Sequence, residues 1–123
     1  VILYAAADLL WATRIKATGD ALGIACRPAR NGEMLRARLA DSAVRALIVD
    51  LEAEAGLDLI ALARAEGGPG VRIVAFGPHV QKARLQAARE AGADEVLTRG
   101  AFDHALPDLL LALGGGEDAS RGS

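Results

Sequence analysis

A chain of 123 residues with 16 acidic and 14 basic side chains, net charge −2, fits a single domain and lacks the basic excess of a nucleic-acid binder. Hydrophobic residues make up 52% and charged residues 24%, a globular balance that excludes a disordered polyelectrolyte. Aromatics are 3%, so the core has to be built from Ala, Leu, Val and Ile.

The Lys and Arg residues are scattered and read as solvated helix faces, so no nucleic-acid contact is expected of this domain. Cys26 is the single cysteine. No internal disulfide can form, which suits a reducing, cytoplasmic compartment, and its place in a predicted strand suggests a buried, inert thiol. No apolar run reaches membrane-spanning length, so no membrane association is expected. The apolar start Val1-Ile2-Leu3-Tyr4 is short and lacks a basic region before it, so it reads as a strand and not a signal peptide. The absence of an initiator Met points to a trimmed or processed chain.

In chain order, short apolar runs alternate with longer amphipathic stretches. Residues 1–5 predict a first strand. Asp8 then suits the start of a helix through Leu22, because its carboxylate can accept orphan N–H bonds; Leu9, Ala12, Ile15 and Leu22 are expected inward, with Gly19 a blemish. Residues 23–27 predict a second strand ended by Pro28, and Asn31 is a candidate cap for the next helix. Residues 45–50 form the clearest central strand, its run Ala46-Leu47-Ile48-Val49 implying burial on both faces of a parallel sheet. A helix over 57–65, a Gly-rich loop and a strand over 71–76 follow. Then come a helix over 80–91 ended by Gly92, a strand over 93–97 and a last helix over 102–113, which Pro107 is expected to shorten or kink. The Gly- and Ser-rich residues 114–123 are expected to be a disordered tail or linker stub, so the domain is placed at 1–113. Five strand–helix units in strict alternation predict an α/β fold: a doubly wound five-stranded parallel sheet with helices on both faces. Ligands of such sheets bind beyond the carboxyl ends of the strands, here after Ala5, Asp50, Phe76 and Leu97.

That rim carries little reactive chemistry. Ala5-Ala6-Ala7-Asp8 has no glycine to let backbone N–H groups converge on a phosphate, which argues against a dinucleotide or flavin site. Asp50, a carboxylate ending a central apolar strand, is the most informative residue; nucleophile, metal ligand and simple strand-end cap are its possible roles. His79 and His104 have no Cys or His at ligand spacing and read as surface residues. Tyr4 and Trp11 are isolated and suggest packing or a contact spot.

The stretches Asn31-Gly32-Glu33, Ala46-Leu47-Ile48-Val49-Asp50, Gly56-Leu57-Asp58-Leu59-Ile60 and Ala91-Gly92-Ala93-Asp94-Glu95-Val96-Leu97-Thr98-Arg99 fall in an order and spacing that resembles the receiver domain of two-component response regulators. The last stretch is similar to that family's AGADDYLTKP segment. The resemblance implies a flavodoxin-like fold and phosphorylation of an aspartate by a histidine kinase. It also implies Mg²⁺ held by that aspartate and an acidic pair, a Thr or Ser and a Lys on the phosphoryl oxygens, and a switch aromatic. Only Asp50 matches the pattern. The acidic pair falls at Ala5 and Ala6, the hydroxyl position at Gly77, the Lys at Arg99 and the switch aromatic at Val96, and the loop after Asp50 lacks the family's Pro. The expectation is a degenerate pseudo-receiver, not an enzyme and without Mg²⁺, that binds a protein partner or a second copy of itself. The family's interaction face corresponds here to residues 80–113, from Val80 to Leu113. Arg99 is read either as a standing ion pair with Asp50 that locks one conformation or as an exposed loop residue. Two alternatives stay open. One is an active receiver phosphorylated on Asp50, with Asp8, Glu52 or Glu54 as substitute metal ligands. The other is a small-molecule-binding flavodoxin-like domain with a pocket near Ala5 and Gly77.

Overall fold

The protein was analysed as a computed structural model, which describes the backbone of residues 1–122 and the side chains of residues 1–114. Its elements are β1 (Ile2–Ala5), α1 (Leu9–Leu22), β2 (Cys26–Pro28), α2 (Gly32–Asp41), β3 (Ala46–Asp50), α3 (Gly56–Gly67), a 3₁₀ turn (Gly68–Gly70), β4 (Arg72–Gly77), α4 (Lys82–Ala91), β5 (Glu95–Thr98) and α5 (Arg99–Gly122). All strand pairs are parallel, in the order β2-β1-β3-β4-β5. This is the expected doubly wound α/β sheet. Of the expected tail over 114–123, the backbone of 114–122 falls within α5, and the side chains of 115–123 lie outside the described ones.

Period-two alternation sends each strand's residues to two cores. Leu3, Ala5, Leu47, Val49, Ile73 and Ala75 face α2, α3 and α4. Ile2, Tyr4, Ala46, Ile48, Val74 and Phe76 face α1 and α5. The second core holds the chain's aromatic cluster: Phe76 and Phe102 stack at 3.9 Å between centroids, and Trp11 tilts against them at 5.0 and 5.6 Å. Trp11 therefore packs and is not a surface contact spot.

Caps fall where the sequence placed them. Asp8 accepts the Trp11 N–H at 3.0 Å and Asn31 the Met34 N–H at 2.8 Å, each satisfying an orphan donor of the first helical turn. Other expectations need correction. Leu9 is 80% exposed instead of inward, because the buried stripe of α1 runs through Trp11, Ile15 and Gly19. Gly19 is no blemish: a Cβ there would lie 2.6 Å from Cys26 Sγ and 2.8 Å from the Ile24 carbonyl, so its absence lets α1 close onto β2. Pro28 continues β2 because β2 is an edge strand. The neighbouring Ala29 N–H turns in to the Tyr4 carbonyl at 2.9 Å, so the position of the missing N–H faces the open edge. α5 starts at Arg99, three residues early, with Thr98 Oγ1 accepting the Ala101 N–H at 3.2 Å. Pro107 lies inside this helix without ending it; Phe102, Leu106 and Leu110 bury one face on the sheet and outweigh one lost backbone bond.

At the amino ends of the strands, Arg64 of α3 ties four segments together. Its guanidinium donates to the carbonyls of Gly92 (2.9 and 3.1 Å), Gly68 (3.1 Å) and Val71 (3.2 Å) and meets Asp94 Oδ2 at 2.6 Å. Gly92, at φ 120°, occupies backbone space that favours glycine and sits against the Arg64 stem. Asp94 also accepts the Ile73 N–H at 2.8 Å.

Candidate functional site

β3 runs through the middle of the sheet and ends at the carboxyl rim with Asp50, in register with Phe76 of β4. Asp50 is 0% exposed and is the buried charged residue of the described chain. Burying a carboxylate is tolerable only when its oxygens find donors. Here Oδ2 accepts the Ala7 N–H at 3.0 Å and Oδ1 accepts the Glu52 N–H at 2.9 Å. The loops after β1 and β3 thus fold over the carboxylate and pin themselves to it. Both partners are backbone amides; among the described residues no Lys, Arg or His bonds to Asp50.

The positions that would complete a metal site around Asp50 carry no suitable donors. Ala5 is buried in the core and Ala6 is half-buried. The Asp8 carboxylate is spent on the start of α1. Glu52 turns its carboxylate to Arg99, 3.7 Å from Nη2, and to Gln81 Nε2 at 3.4 Å. Glu54 is exposed on a groove of about 510 Å³, lined by Ala6, Ala7, Arg30, Asn31, Ala53, Ala55 and Asp58. Among the described residues no three His, Cys, Asp or Glu side chains gather to hold a metal ion. A hard divalent cation wants several clustered oxygens, and here each Asp50 oxygen already accepts a backbone N–H while the neighbouring carboxylates do not gather around it. The residues present do not fit Mg²⁺.

Opposite Asp50, the end of β4 is filled by Leu51. That side chain is 2% exposed, and a Cβ on Gly77 would lie 3.3 Å from Leu51 Cβ and 3.7 Å from Leu85 of α4. Leu51 is held by its backbone on both sides: its N–H donates to the Phe76 carbonyl at 2.8 Å, and its carbonyl accepts from Arg84 Nη1 at 2.7 Å. Apolar packing therefore stands where a hydroxyl-bearing residue would reach toward the site. Arg99 pairs with Glu52 and not with Asp50, its Nε buried without a partner. Val96 is half-buried and packs into the core under α3 and α4.

Of the residues singled out in the sequence, Asp50, Glu52, Arg99 and Gly77 surround the end of β3 and β4, while Asp8 caps α1 and Glu54 lies exposed on the groove. The roles of Leu51, Gln81 and Arg84 were not foreseen. The signal for Leu51 is an apolar residue continuing directly after the strand-end carboxylate. Nothing local marks Arg84, because its partner carbonyl lies 33 residues away.

His79 and His104 are exposed. Cys26 is buried, and that burial pushes its thiol above the ordinary value of 9.0. Among the described residues no helix is long and apolar enough to cross a membrane.

No family model and no curated protein matches the sequence. Solved structures do match it. The receiver domain of the Francisella response regulator 1452 superposes with a TM-score of 0.72 at 18% identity, covering 91% of this chain and 93% of that one. The isolated receiver domain of RcsB from Salmonella enterica serovar Typhimurium, in the apo form, gives 0.71 at 18% identity over 91% and 85%. A response regulator from Burkholderia pseudomallei, solved with a phosphorylated aspartic acid, a calcium ion and citrate, gives 0.69 at 22% identity over 98% and 70%. The chain has the flavodoxin-like receiver fold of response regulators.

Proposed function

We propose that this chain is a degenerate receiver domain, spanning residues 1–113 with 114–123 as a tail or linker, that signals by binding another protein and does not transfer a phosphoryl group. The observation that carries this reading is the state of Asp50: no exposed surface, and each carboxylate oxygen held by a backbone amide. An attacking carboxylate must present a lone pair to its phosphoryl donor, with a cation to gather charge as the bond forms. Asp50 has no exposed surface through which to meet a donor and, among the described residues, no cation bonded to it, and the alanines at 5 and 6 offer no ligands that would bring Mg²⁺. Arg99 supplies a cation, but its planar fork already faces Glu52. The module is accordingly a non-enzymatic one, and its lone buried thiol suits a cytoplasmic setting. The face proposed for its partner, or for a second copy, is residues 80–113, made by α4, β5 and α5.

A Mg²⁺ titration followed by NMR tests this reading. Amide resonances of residues 5–8, 50–54 and 77 are expected to stay in place up to millimolar metal, the range of weak extracellular-type sites. A saturable shift there would return the domain to the active class, with Asp50 as the phosphoacceptor. The small-molecule reading has one observation in its favour, the groove beside Ala6 and Ala7; its lining lacks a phosphate loop and includes two carboxylates, Glu54 and Asp58.

A further inference from the structure

A cavity of about 360 Å³ opens at the amino ends of β3, β4 and β5, at the opposite end of the sheet from Asp50. Register decides which side chains enter it. Ala46 and Val74 face the core under α1 and α5. Arg72, two residues before Val74 and opposite Ala46, leaves β4 on that same side, and so does Glu95 of β5, opposite Val74. Across from them α5 supplies Leu109, Ala112 and Leu113, and Arg45, just ahead of β3, adds a second guanidinium to the lining. Gly70 also lines the cavity, and a Cβ there would meet nothing within 4 Å, so the turn before β4 does not close it.

The two guanidiniums are held differently. Arg45 Nε donates to the Leu113 carbonyl at 3.4 Å, which ties the lining to α5. Arg72 Nε stands 3.9 Å from Asp94 Oδ2, an oxygen already taken by the Ile73 N–H at 2.8 Å and by Arg64 Nη2 at 2.6 Å. Asp94 thus divides one negative charge between two guanidiniums, and the short contact belongs to Arg64. The Arg72 side chain keeps 60% of its surface open to solvent. A guanidinium so weakly engaged can offer a carboxylate two parallel N–H···O bonds. An exposed charge pair contributes little alone. Here, however, Leu109 and Leu113 extend the α5 core to the cavity, and a short hydrocarbon can bury its surface on them. Glu95 on the same lining repels multiply charged anions and leaves a monoanion preferred.

We propose that this cavity binds a small monocarboxylate with an apolar body, its carboxylate on Arg72 and its hydrocarbon on Leu109, Ala112 and Leu113. The site is independent of the rim around Asp50 and of any protein partner. Hexanoate serves as the probe, titrated into the full chain at neutral pH and followed by NMR. Saturable shifts in the millimolar range are expected for amides of residues 43–45, 70–72, 95 and 109–113, while those of 5–8 and 50–54 stay in place. Hexanol keeps the chain length without the charge, and acetate keeps the charge without the chain. Each is expected to bind about tenfold or more weakly than hexanoate. Arg72→Gln is expected to weaken hexanoate about tenfold and to leave hexanol unchanged. The proposal is overturned if hexanoate does not saturate, if hexanol or acetate binds as well, or if Arg72→Gln keeps wild-type affinity. Inorganic phosphate moving the same amides more strongly than hexanoate would also overturn it, since that reports a general anion site. The comparison of probes on the wild type decides the matter should the variant fold poorly.

Discussion

At the scale of single residues, the Asp50 side chain is consequential for what it holds, the loops after β1 and β3. Replacing it by Ala removes the acceptor of the Ala7 and Glu52 N–H groups in two part-buried bonds, a loss of roughly 1–3 kcal/mol. Asp50→Asn keeps one acceptor oxygen but turns an NH₂ toward an N–H, and is expected to cost about 1–3 kcal/mol. Urea unfolding measures both; a neutral or stabilising Asp50→Asn would mean the carboxylate is not structural. Asp94 gives the pH dependence. Desolvation pushes its carboxyl up, but the Ile73 N–H and the Arg64 guanidinium outweigh that and hold it below its ordinary value of 3.8. A carboxyl depressed in the folded state contributes stability that is complete above its unfolded value and is lost as pH falls through the folded one. Acid titration of stability should therefore show a component lost below pH 3.8 that Asp94→Asn removes, seen as a flatter dependence of the urea midpoint on pH in that window. Sequence reading could single out Asp50 from its place after an apolar run. It could not tell that both oxygens face backbone amides, since one donor, Ala7, is 43 residues away.

At the scale of elements, the strand–helix alternation was legible because each strand is short, apolar and followed by a helix with its own cap. Boundaries slipped where the deciding contact is tertiary. α5 begins early because Thr98 caps it across Gly100, which reads as a loop in isolation. Gly19 looks like a weak point in α1 until β2 is brought against it; Gly19→Ala is then expected to destabilise by about 1–3 kcal/mol, as overpacking against backbone does. An exposed helical glycine would instead gain stability from Ala, so the sign of the change in melting temperature decides the point. At the end of β4, Gly77→Ser places its Cβ 3.3 Å from Leu51 and restores a hydroxyl without restoring a site. It is expected to cost about 1 kcal/mol and to produce no Mg²⁺-dependent amide shifts at the rim.

At the scale of the whole molecule, the two sheet faces and the rim have different fates. Both cores are complete: the aromatic cluster under α1 and α5, and the aliphatic layer under α2, α3 and α4. The Arg64 hub closes the amino ends of β4 and β5 and the turn after α4. At the carboxyl rim, Leu51 and the contacts of Glu52, Gln81, Arg84 and Arg99 pack the end of β4 and the loop after β3 together. The most direct measurement is intact mass of the protein after incubation with acetyl phosphate and excess Mg²⁺. An unchanged mass is the result this account predicts. A phosphoryl adduct that peptide mapping places on Asp50 would contradict it.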